Sequence, residues 1–158
     1  LSKNSEPVLD SKNIEMTINV MGSSLVYWTQ ALHQANLFTK GSQIFSMTSS
    51  GARRQWPSYG AVSMAKAALE SASRQLAIEL ASDGIAVNAI QAGVTDTPAL
   101  RKIPGNEEMI NYAINHNPSG RLTTPEDIAN YIALISQSNY SWMTGNVIRI
   151  DGGEDIIG

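Results

Sequence analysis

A phenol and an ammonium group stand seven residues apart in one predicted helix, at Tyr59 and Lys66. The helix is predicted over about residues 58–80, because apolar residues recur there at three- and four-residue spacing. At about 3.6 residues per turn, seven residues make nearly two turns, so both side chains leave the same face. A cation beside a phenol stabilises the phenolate and lowers the pKa of that phenol from about 10. The two groups could act together as a proton donor or an oxyanion partner, unless they are surface side chains that never meet.

Two predicted strands flank this helix along the chain. Residues 43–48 form a short strand pattern that ends in the hydroxyls of Ser49 and Ser50. Residues 84–93 form an apolar run of the kind found in buried strands, and this run ends in a glycine turn. Strand, helix and strand in this order predict a βαβ unit with a parallel sheet.

This arrangement resembles the short-chain dehydrogenase/reductase family. The spacing between Tyr59 and Lys66 is similar to that of its divergent branch, the enoyl-acyl-carrier-protein reductases, whereas Ser63 stands where the commoner branch has Lys. Three later segments resemble further family motifs in the correct order. They are Ala92–Gly93–Val94–Thr95–Asp96–Thr97 (Pro-Gly-x-x-x-Thr, with Ala for Pro), Gly120–Arg121 with Pro125–Glu126–Asp127–Ile128–Ala129, and Thr144–Gly145 with Asp151–Gly152–Gly153.

The resemblance implies an α/β fold, a three-layer doubly wound parallel sheet of the Rossmann type. Such sheets open with a strand and a glycine-rich turn, but no Gly-x-Gly-x-x-Gly occurs in this sequence. Residues 1–10 contain neither methionine nor a strand pattern. We therefore expect residues 1–158 to be the C-terminal part of a single reductase domain that lacks its N-terminal strands. Residues 98–118 would form the substrate-binding lid.

The catalytic residues that the resemblance implies are Tyr59, Lys66, Ser49 and Asn19. The implied reaction is transfer of hydride from NADH or NADPH to a trans-2-enoyl thioester, as in fatty acid biosynthesis. Tyr59 would hydrogen-bond the thioester oxygen, Lys66 would hold the nicotinamide ribose, and Ser49 would assist. Asn19 lies in a long helix predicted over residues 11–38; it would sit at a kink and hold a water beneath Lys66, or else be a solvent-facing polar residue.

The cofactor contacts that the resemblance implies, besides Lys66, are Gly93, Val94 and Thr97. In the family the backbone of this turn faces the nicotinamide carboxamide. A plain strand-to-helix turn, with Thr97 as the N-cap before Pro98, explains the same residues, and both interpretations can hold together. No metal site is expected.

Two alternatives to the enoyl reductase remain open. In many enoyl reductases a second Tyr stands ten residues before the conserved one, and here that position is Ser49. This departure favours a short-chain carbonyl or 3-oxoacyl reductase, whereas the absence of Tyr-x3-Lys disfavours it. The second alternative is a non-catalytic, truncated relative that serves as an interaction module.

Composition limits the partners that we expect. The chain is 42% hydrophobic with a net charge of −3 and no cysteine, which predicts a cytoplasmic globular protein without disulfides, nucleic-acid binding or membrane insertion. Asn139–Tyr140–Ser141 fits a glycosylation pattern that we expect to be idle. The expected substrate is an acyl thioester, with acyl carrier protein as its candidate carrier. By resemblance, the helices at 11–38 and 58–81 would form a homodimer or tetramer contact.

Overall fold

The chain forms two small sheets and five helices in a computed structural model that describes residues 2–3, 6–7, 10–138 and 141–157. Asn139 and Tyr140 of the glycosylation pattern lie outside these residues. The strands are β1 (Ser2–Lys3), β2 (Glu6–Pro7), β3 (Gln43–Ser49), β4 (Ala86–Ala92) and β5 (Val147–Ile150). The helices are α1 (Ser11–Ile18), α2 (Ser24–Gln34), α3 (Gly60–Glu79), α4 (Asn106–His116) and α5 (Pro125–Ser136).

The main sheet is parallel, with strand order β3-β4-β5. Gln43 lies opposite Ala86, and Ala89 lies opposite Val147. The predicted βαβ unit is confirmed, because α3 connects the parallel neighbours β3 and β4. The small antiparallel pair of β1 and β2 was not expected, and it corrects the expectation that residues 1–10 contain no strand. Strands of two residues are too short to show an alternating pattern in the sequence.

Helices cover both faces of the main sheet. On β3, Ser46 bonds to Ser73 of α3 at 2.9 Å, whereas the ring of Phe45 meets Tyr131 of α5 edge-on at 6.5 Å. Successive strand residues point to opposite faces, so α3 and α5 lie on opposite sides. The β4 residues from Ala86 to Gln91 are all buried, as expected for a central parallel strand. The expected three-layer α/β fold of the Rossmann type is confirmed.

The long helix predicted over residues 11–38 is interrupted and shorter than expected. α1 and α2 are joined by a π-helical turn at Asn19–Ser23, and α2 ends at Gln34. Asn36 takes a left-handed backbone conformation with φ of 54°, which ends the helix before Phe38. Phe38 packs instead against the cluster of core side chains that α3 and β4 contribute.

The second half of the chain follows the expected pattern of breaks and caps. A short 3₁₀ turn at Leu100–Lys102 and the helix α4 lie on either side of the break at residues 104–105. At the start of α5, the Thr124 side chain accepts from the Asp127 N–H, and the Asp127 carboxylate accepts from the Thr124 N–H at 2.9 Å. This reciprocal pair is a capping box, which fixes the start of α5.

Candidate active site

Tyr59 stands directly before the first residue of α3, and its hydroxyl oxygen lies 3.3 Å from Ser49 Oγ. The position of the phenol depends on Gly51, whose missing side chain leaves room for the Tyr59 ring. Ser63 Oγ donates to the Gly51 carbonyl at 2.6 Å and so holds Gly51 against α3. The structure therefore brings together two of the predicted catalytic residues, Ser49 and Tyr59.

Lys66 reaches the same strand as Tyr59. Its ammonium donates to the Met47 carbonyl at 2.7 Å, two residues before Ser49 on β3. The side chain is half-buried, and burial lowers the pKa of Lys66 because the charged form loses hydration. Across the described residues no hydrogen bond joins Tyr59 to Lys66. Each side chain instead contacts β3, Tyr59 at Ser49 and Lys66 at Met47.

The surroundings of Lys66 fit the ribose hydroxyls of a nicotinamide cofactor. The ammonium has three N–H donors, and the hydrogen bond to Met47 uses one of them. Lys66 also lines an open, mostly apolar groove of about 510 Å³ between β3, the π-helical turn at Asn19–Ser23, α2 and α3. A hydroxyl group beside Lys66 could therefore accept a hydrogen bond from the N–H groups that Met47 does not use.

Asn19 is the first residue of the π-helical turn between α1 and α2. Its side chain is exposed and makes no hydrogen bond within the described part of the chain. Three residues on, Gly22 packs so closely on α3 that an added Cβ would lie 3.0 Å from the Ala65 carbonyl oxygen. The π turn thus approaches α3 next to Lys66. Asn19 stands at the expected break in the helix, and its part in a proton relay stays a prediction.

The predicted cofactor turn makes its backbone hydrogen bonds within the chain. The Val94 N–H donates to Glu154 Oε2 at 3.0 Å, and the Val94 carbonyl accepts from the Thr123 N–H at 3.1 Å. The Gly93 N–H donates to the Ile150 carbonyl. Contact between these groups and a nicotinamide would need the bonds to be exchanged or shared, and it stays a prediction.

Thr97 contacts the turn that follows it, as the second interpretation predicts, but that turn begins at Leu100 and not at Pro98. The Thr97 hydroxyl oxygen accepts from the Leu100 N–H at 3.1 Å. The hydroxyl proton is left for another acceptor, which is compatible with a cofactor contact.

The predicted lid contacts the loop before Tyr59. The rings of Trp56 and Tyr112 meet edge-on with centroids 5.9 Å apart, and His116 stacks on Tyr112 at 3.7 Å. Trp56, three residues before Tyr59, thus packs against α4. Closure of residues 98–118 over a substrate stays a prediction.

Sequence reasoning missed three polar residues close to the site: Gln91, Glu154 and Asp155. Gln91 is fully buried on β4 and hydrogen-bonds Arg53 and Asp155. A polar residue inside an apolar strand run was the available signal for Gln91. Glu154 and Asp155 left no signal, because their partners are about 60 to 100 residues away in the chain.

Two further properties concern the described residues alone. They contain no group of three or more His, Cys, Asp or Glu side chains placed to hold a metal ion. None of the helices in residues 10–138 and 141–157 has the length and apolar character that crossing a membrane requires.

Comparison with known proteins gives consistent matches. A family model described as enoyl-(acyl carrier protein) reductase matches residues 3–154. The enoyl-acyl-carrier-protein reductase (NADH) FabI of Nostoc sp. strain PCC 7120 is 36% identical over 122 residues, which are 77% of this chain and 47% of that protein. The crystal structure of the enoyl-acyl-carrier-protein reductase (NADH) from Aquifex aeolicus VF5 superposes with a TM-score of 0.88 at 29% identity, covering 98% of this chain and 60% of that one.

A relative with a different activity also matches. The (2S)-[(R)-hydroxy(phenyl)methyl]succinyl-CoA dehydrogenase subunit BbsD of Thauera aromatica is 30% identical over 151 residues, covering 94% of this chain and 58% of that protein. The chain thus spans about half the length of the curated relatives that it matches. The family model covers nearly the whole chain, and the chain belongs to the enoyl-(acyl carrier protein) reductase family.

Proposed function

We propose that the full-length protein uses NADH to reduce the double bond of a trans-2-enoyl thioester. The observation that carries this proposal is that the side chains of Tyr59 and Lys66 both contact β3 in a chain of this family. Tyr59 contacts Ser49, and Lys66 contacts Met47. We propose NADH rather than NADPH, because the relative from Nostoc is named as an NADH enzyme.

The chain's own residues would stabilise charge on the substrate. Bound NADH would supply hydride to the β-carbon of the enoyl group. Negative charge would then grow on the thioester oxygen of the enolate, and the Tyr59 hydroxyl would donate a hydrogen bond to that oxygen, with Ser49 as its neighbour. The α-carbon of the enolate would take a proton from water, which completes the saturated thioester. Lys66 would hold the ribose through its remaining N–H donors and keep the site positive.

The Ser49–Tyr59 pair also favours a second candidate, reduction of a carbonyl or oxidation of the corresponding alcohol. Two hydroxyl groups 3.3 Å apart can both hydrogen-bond one carbonyl oxygen. The relative from Thauera aromatica, whose name describes an alcohol dehydrogenase, supports the same candidate. A non-catalytic interaction module is a third possibility, which the retained Tyr59 and Lys66 disfavour.

We further propose that the acyl substrate is carried on acyl carrier protein.

We also propose that the protein forms homodimers or tetramers through α1, α2 and α3. The support for association is an exposed apolar surface on α1, the π turn and α2. Its residues are Met16, Val20, Tyr27 and Trp28, of which Trp28 is 70% exposed. Analytical ultracentrifugation of the full-length protein tests this. A Trp28→Glu variant is expected to dissociate, and an unchanged sedimentation coefficient would contradict the proposal.

Steady-state kinetics with two thioesters test the reaction. The full-length protein is expected to reduce a crotonyl thioester faster than an acetoacetyl thioester. Tyr59→Phe should lower kcat about 100-fold with little change in KM, because a hydrogen bond to the developing oxyanion is lost. Lys66→Met should mainly raise KM for NADH. Preference for the acetoacetyl thioester would favour the second candidate instead.

Tyr131→Phe is the matched control for Tyr59→Phe. Among the described residues, the buried Tyr131 hydroxyl has no hydrogen-bond partner, and its pKa is raised by burial. Removing that hydroxyl should therefore leave kcat unchanged.

A further inference from the structure

The segment after β5 contacts both parts of the candidate active site. It contains a 3₁₀ turn at Glu154–Ile156, directly after the terminal glycines. The Asp155 side chain is only 6% exposed, and its carboxylate lies 2.7 Å from Arg53 Nη2 and 3.3 Å from Arg54 Nε. Both arginines belong to the loop between β3 and Tyr59. The Asp155 carboxylate is thus paired with the loop that precedes Tyr59.

Arg53, Gln91 and Asp155 form a closed ring of hydrogen bonds. Arg53 Nη2 donates to Gln91 Oε1 at 2.8 Å as well as to Asp155, and Gln91 Nε2 donates to Asp155 Oδ2 at 3.1 Å. Burial alone would raise the pKa of the Asp155 carboxyl, but the Gln91 hydrogen bond and the charges of Arg53 and Arg54 outweigh it and lower that pKa. The ring therefore contains an ionised carboxylate that is fixed on several sides.

This ring limits the freedom of the loop that packs on Tyr59. The backbone N–H groups of Arg53 and Arg54 both donate to the Ser50 carbonyl, at 2.9 and 2.8 Å. Gly51, the next residue, lies against the Tyr59 ring. A shift of the Arg53 side chain would therefore move the backbone that supports the phenol.

Glu154 makes the corresponding contact on the other side of the site. Its carboxylate accepts from the Val94 N–H at 3.0 Å, and an added Cβ on Gly93 would lie 2.9 Å from Glu154 Oε2. Burial raises the pKa of this carboxyl, which the Val94 hydrogen bond opposes. Adjacent residues of one turn thus hold the Tyr59 loop and the turn at Gly93–Val94.

We propose that Glu154 and Asp155 form a C-terminal clamp that positions the two parts of the active site relative to each other. Asp155 positions Tyr59 through Arg53, and Glu154 positions the Gly93–Val94 turn, where the cofactor is expected. Neither residue touches the reacting atoms. The inference rests on the proposed function, which assigns the substrate hydrogen bond to Tyr59 and NADH to the turn.

Variants of Asp155 and Glu154 in the full-length protein test the two contacts of the clamp separately. Asp155→Asn should shift the ¹³Cζ NMR signal of Tyr59, which is assigned by its loss in Tyr59→Phe. The same variant should lower kcat about 10-fold or more, while the Kd for NADH stays within about twofold. Glu154→Ala should raise that Kd about tenfold and leave the Tyr59 signal in place. Glu154→Gln should restore the wild-type Kd, because its amide oxygen can accept the Val94 N–H.

Controls keep the outcome clear. Asp83→Asn removes a carboxylate that pairs with His33 at 2.8 Å, beyond the other end of α3, and should change neither signal nor Kd. If Asp155→Asn does not fold, Arg53→Gln breaks the same contact from an exposed side chain and should shift Tyr59 in the same way.

The clamp is refuted if Asp155→Asn and Arg53→Gln leave the Tyr59 signal unchanged, or if Glu154→Ala binds NADH as the wild type does. The NMR signal requires no turnover. A wild type that fails to reduce an enoyl thioester, while Asp155→Asn still shifts Tyr59, would overturn the proposed function and not the positioning by Asp155.

Discussion

Replacing Gly51 with Ala should move the Tyr59 ring away from Ser49. An added Cβ would lie 3.0 Å from Tyr59 Cδ1, closer still to Tyr59 Cε1, and 3.2 Å from Ser49 Oγ, whereas ordinary contacts begin at 3.4 Å. Gly51 is not among the glycines with positive φ, so alanine is compatible with its backbone. The effect of the substitution is therefore a steric one on Tyr59 and Ser49.

The size of the effect follows from this overlap. The ring must retreat by roughly 1 Å, and a misplacement of that size at a reacting centre costs about 100-fold in rate. This corresponds to about 2.7 kcal/mol of transition-state stabilisation. Overpacking should also lower the free energy of unfolding by about 1–3 kcal/mol.

Kinetics and urea unfolding of the full-length protein measure the two effects. We expect kcat/KM for an enoyl thioester to fall about 100-fold in Gly51→Ala. Gly120→Ala is the matched control, since a Cβ there meets nothing within 4 Å. Its positive φ of 64° should cost about 1–2 kcal/mol of stability without loss of activity.

A double-mutant cycle shows whether the effect passes through the ring. In a Tyr59→Ala background, Gly51→Ala should destabilise the protein less, because the ring that it displaces is gone and only the contact with Ser49 Oγ remains. Equal destabilisation in both backgrounds, or an unchanged kcat/KM in the single variant, would show that the Tyr59 ring does not mediate the effect.

Three further predictions concern the elements that position the site. Thr124→Ala should lower the free energy of unfolding in urea by about 1 kcal/mol, because the N-cap bond to Asp127 is lost; an unchanged midpoint would contradict this. Gly22→Leu should lower the free energy of unfolding by about 1–3 kcal/mol, because the added side chain would clash with the α3 backbone at Ala65. A wild-type melting curve would argue against that contact. The Arg121 hydrogen bond, followed by the Thr124 N–H, lowers the pKa of the Asp127 carboxyl below its unfolded value of about 3.9. Since this stabilisation exists above the unfolded pKa and disappears as pH falls through the folded one, Asp127→Asn should destabilise at pH ~7 and progressively less below about pH 4. A destabilisation in urea that is independent of pH would contradict it.

Local sequence signals predicted the framework of the site well. The strand that ends at Ser49 and the helix after Tyr59 both appear where the strand pattern and the apolar periodicity indicated. These features depend on neighbours within a few residues, which the sequence displays directly. The family motifs added the order of the elements, and the structure confirms a parallel sheet.

Features that depend on distant or subtle contacts were not predictable in the same way. The π turn at Asn19–Ser23 was not predictable, because the spacing of apolar residues does not show which carbonyl each N–H bonds. The Val94 N–H was expected to face a cofactor, but a carboxylate 60 residues later accepts it. Neither Glu154 nor Asp155 belongs to a local motif, and their partners become visible only in the fold.

The fate of deuterium from labelled NADH, followed by mass spectrometry of the acyl product, distinguishes an enoyl reductase from its alternatives. With a crotonyl thioester, the full-length protein is expected to form a saturated butyryl product with one deuterium at the β-carbon. Tyr59→Phe should form this product about 100-fold more slowly. Absence of labelled butyryl product, together with deuterium on the hydroxyl-bearing carbon when an acetoacetyl thioester is supplied, would contradict the enoyl reductase and identify a carbonyl reductase.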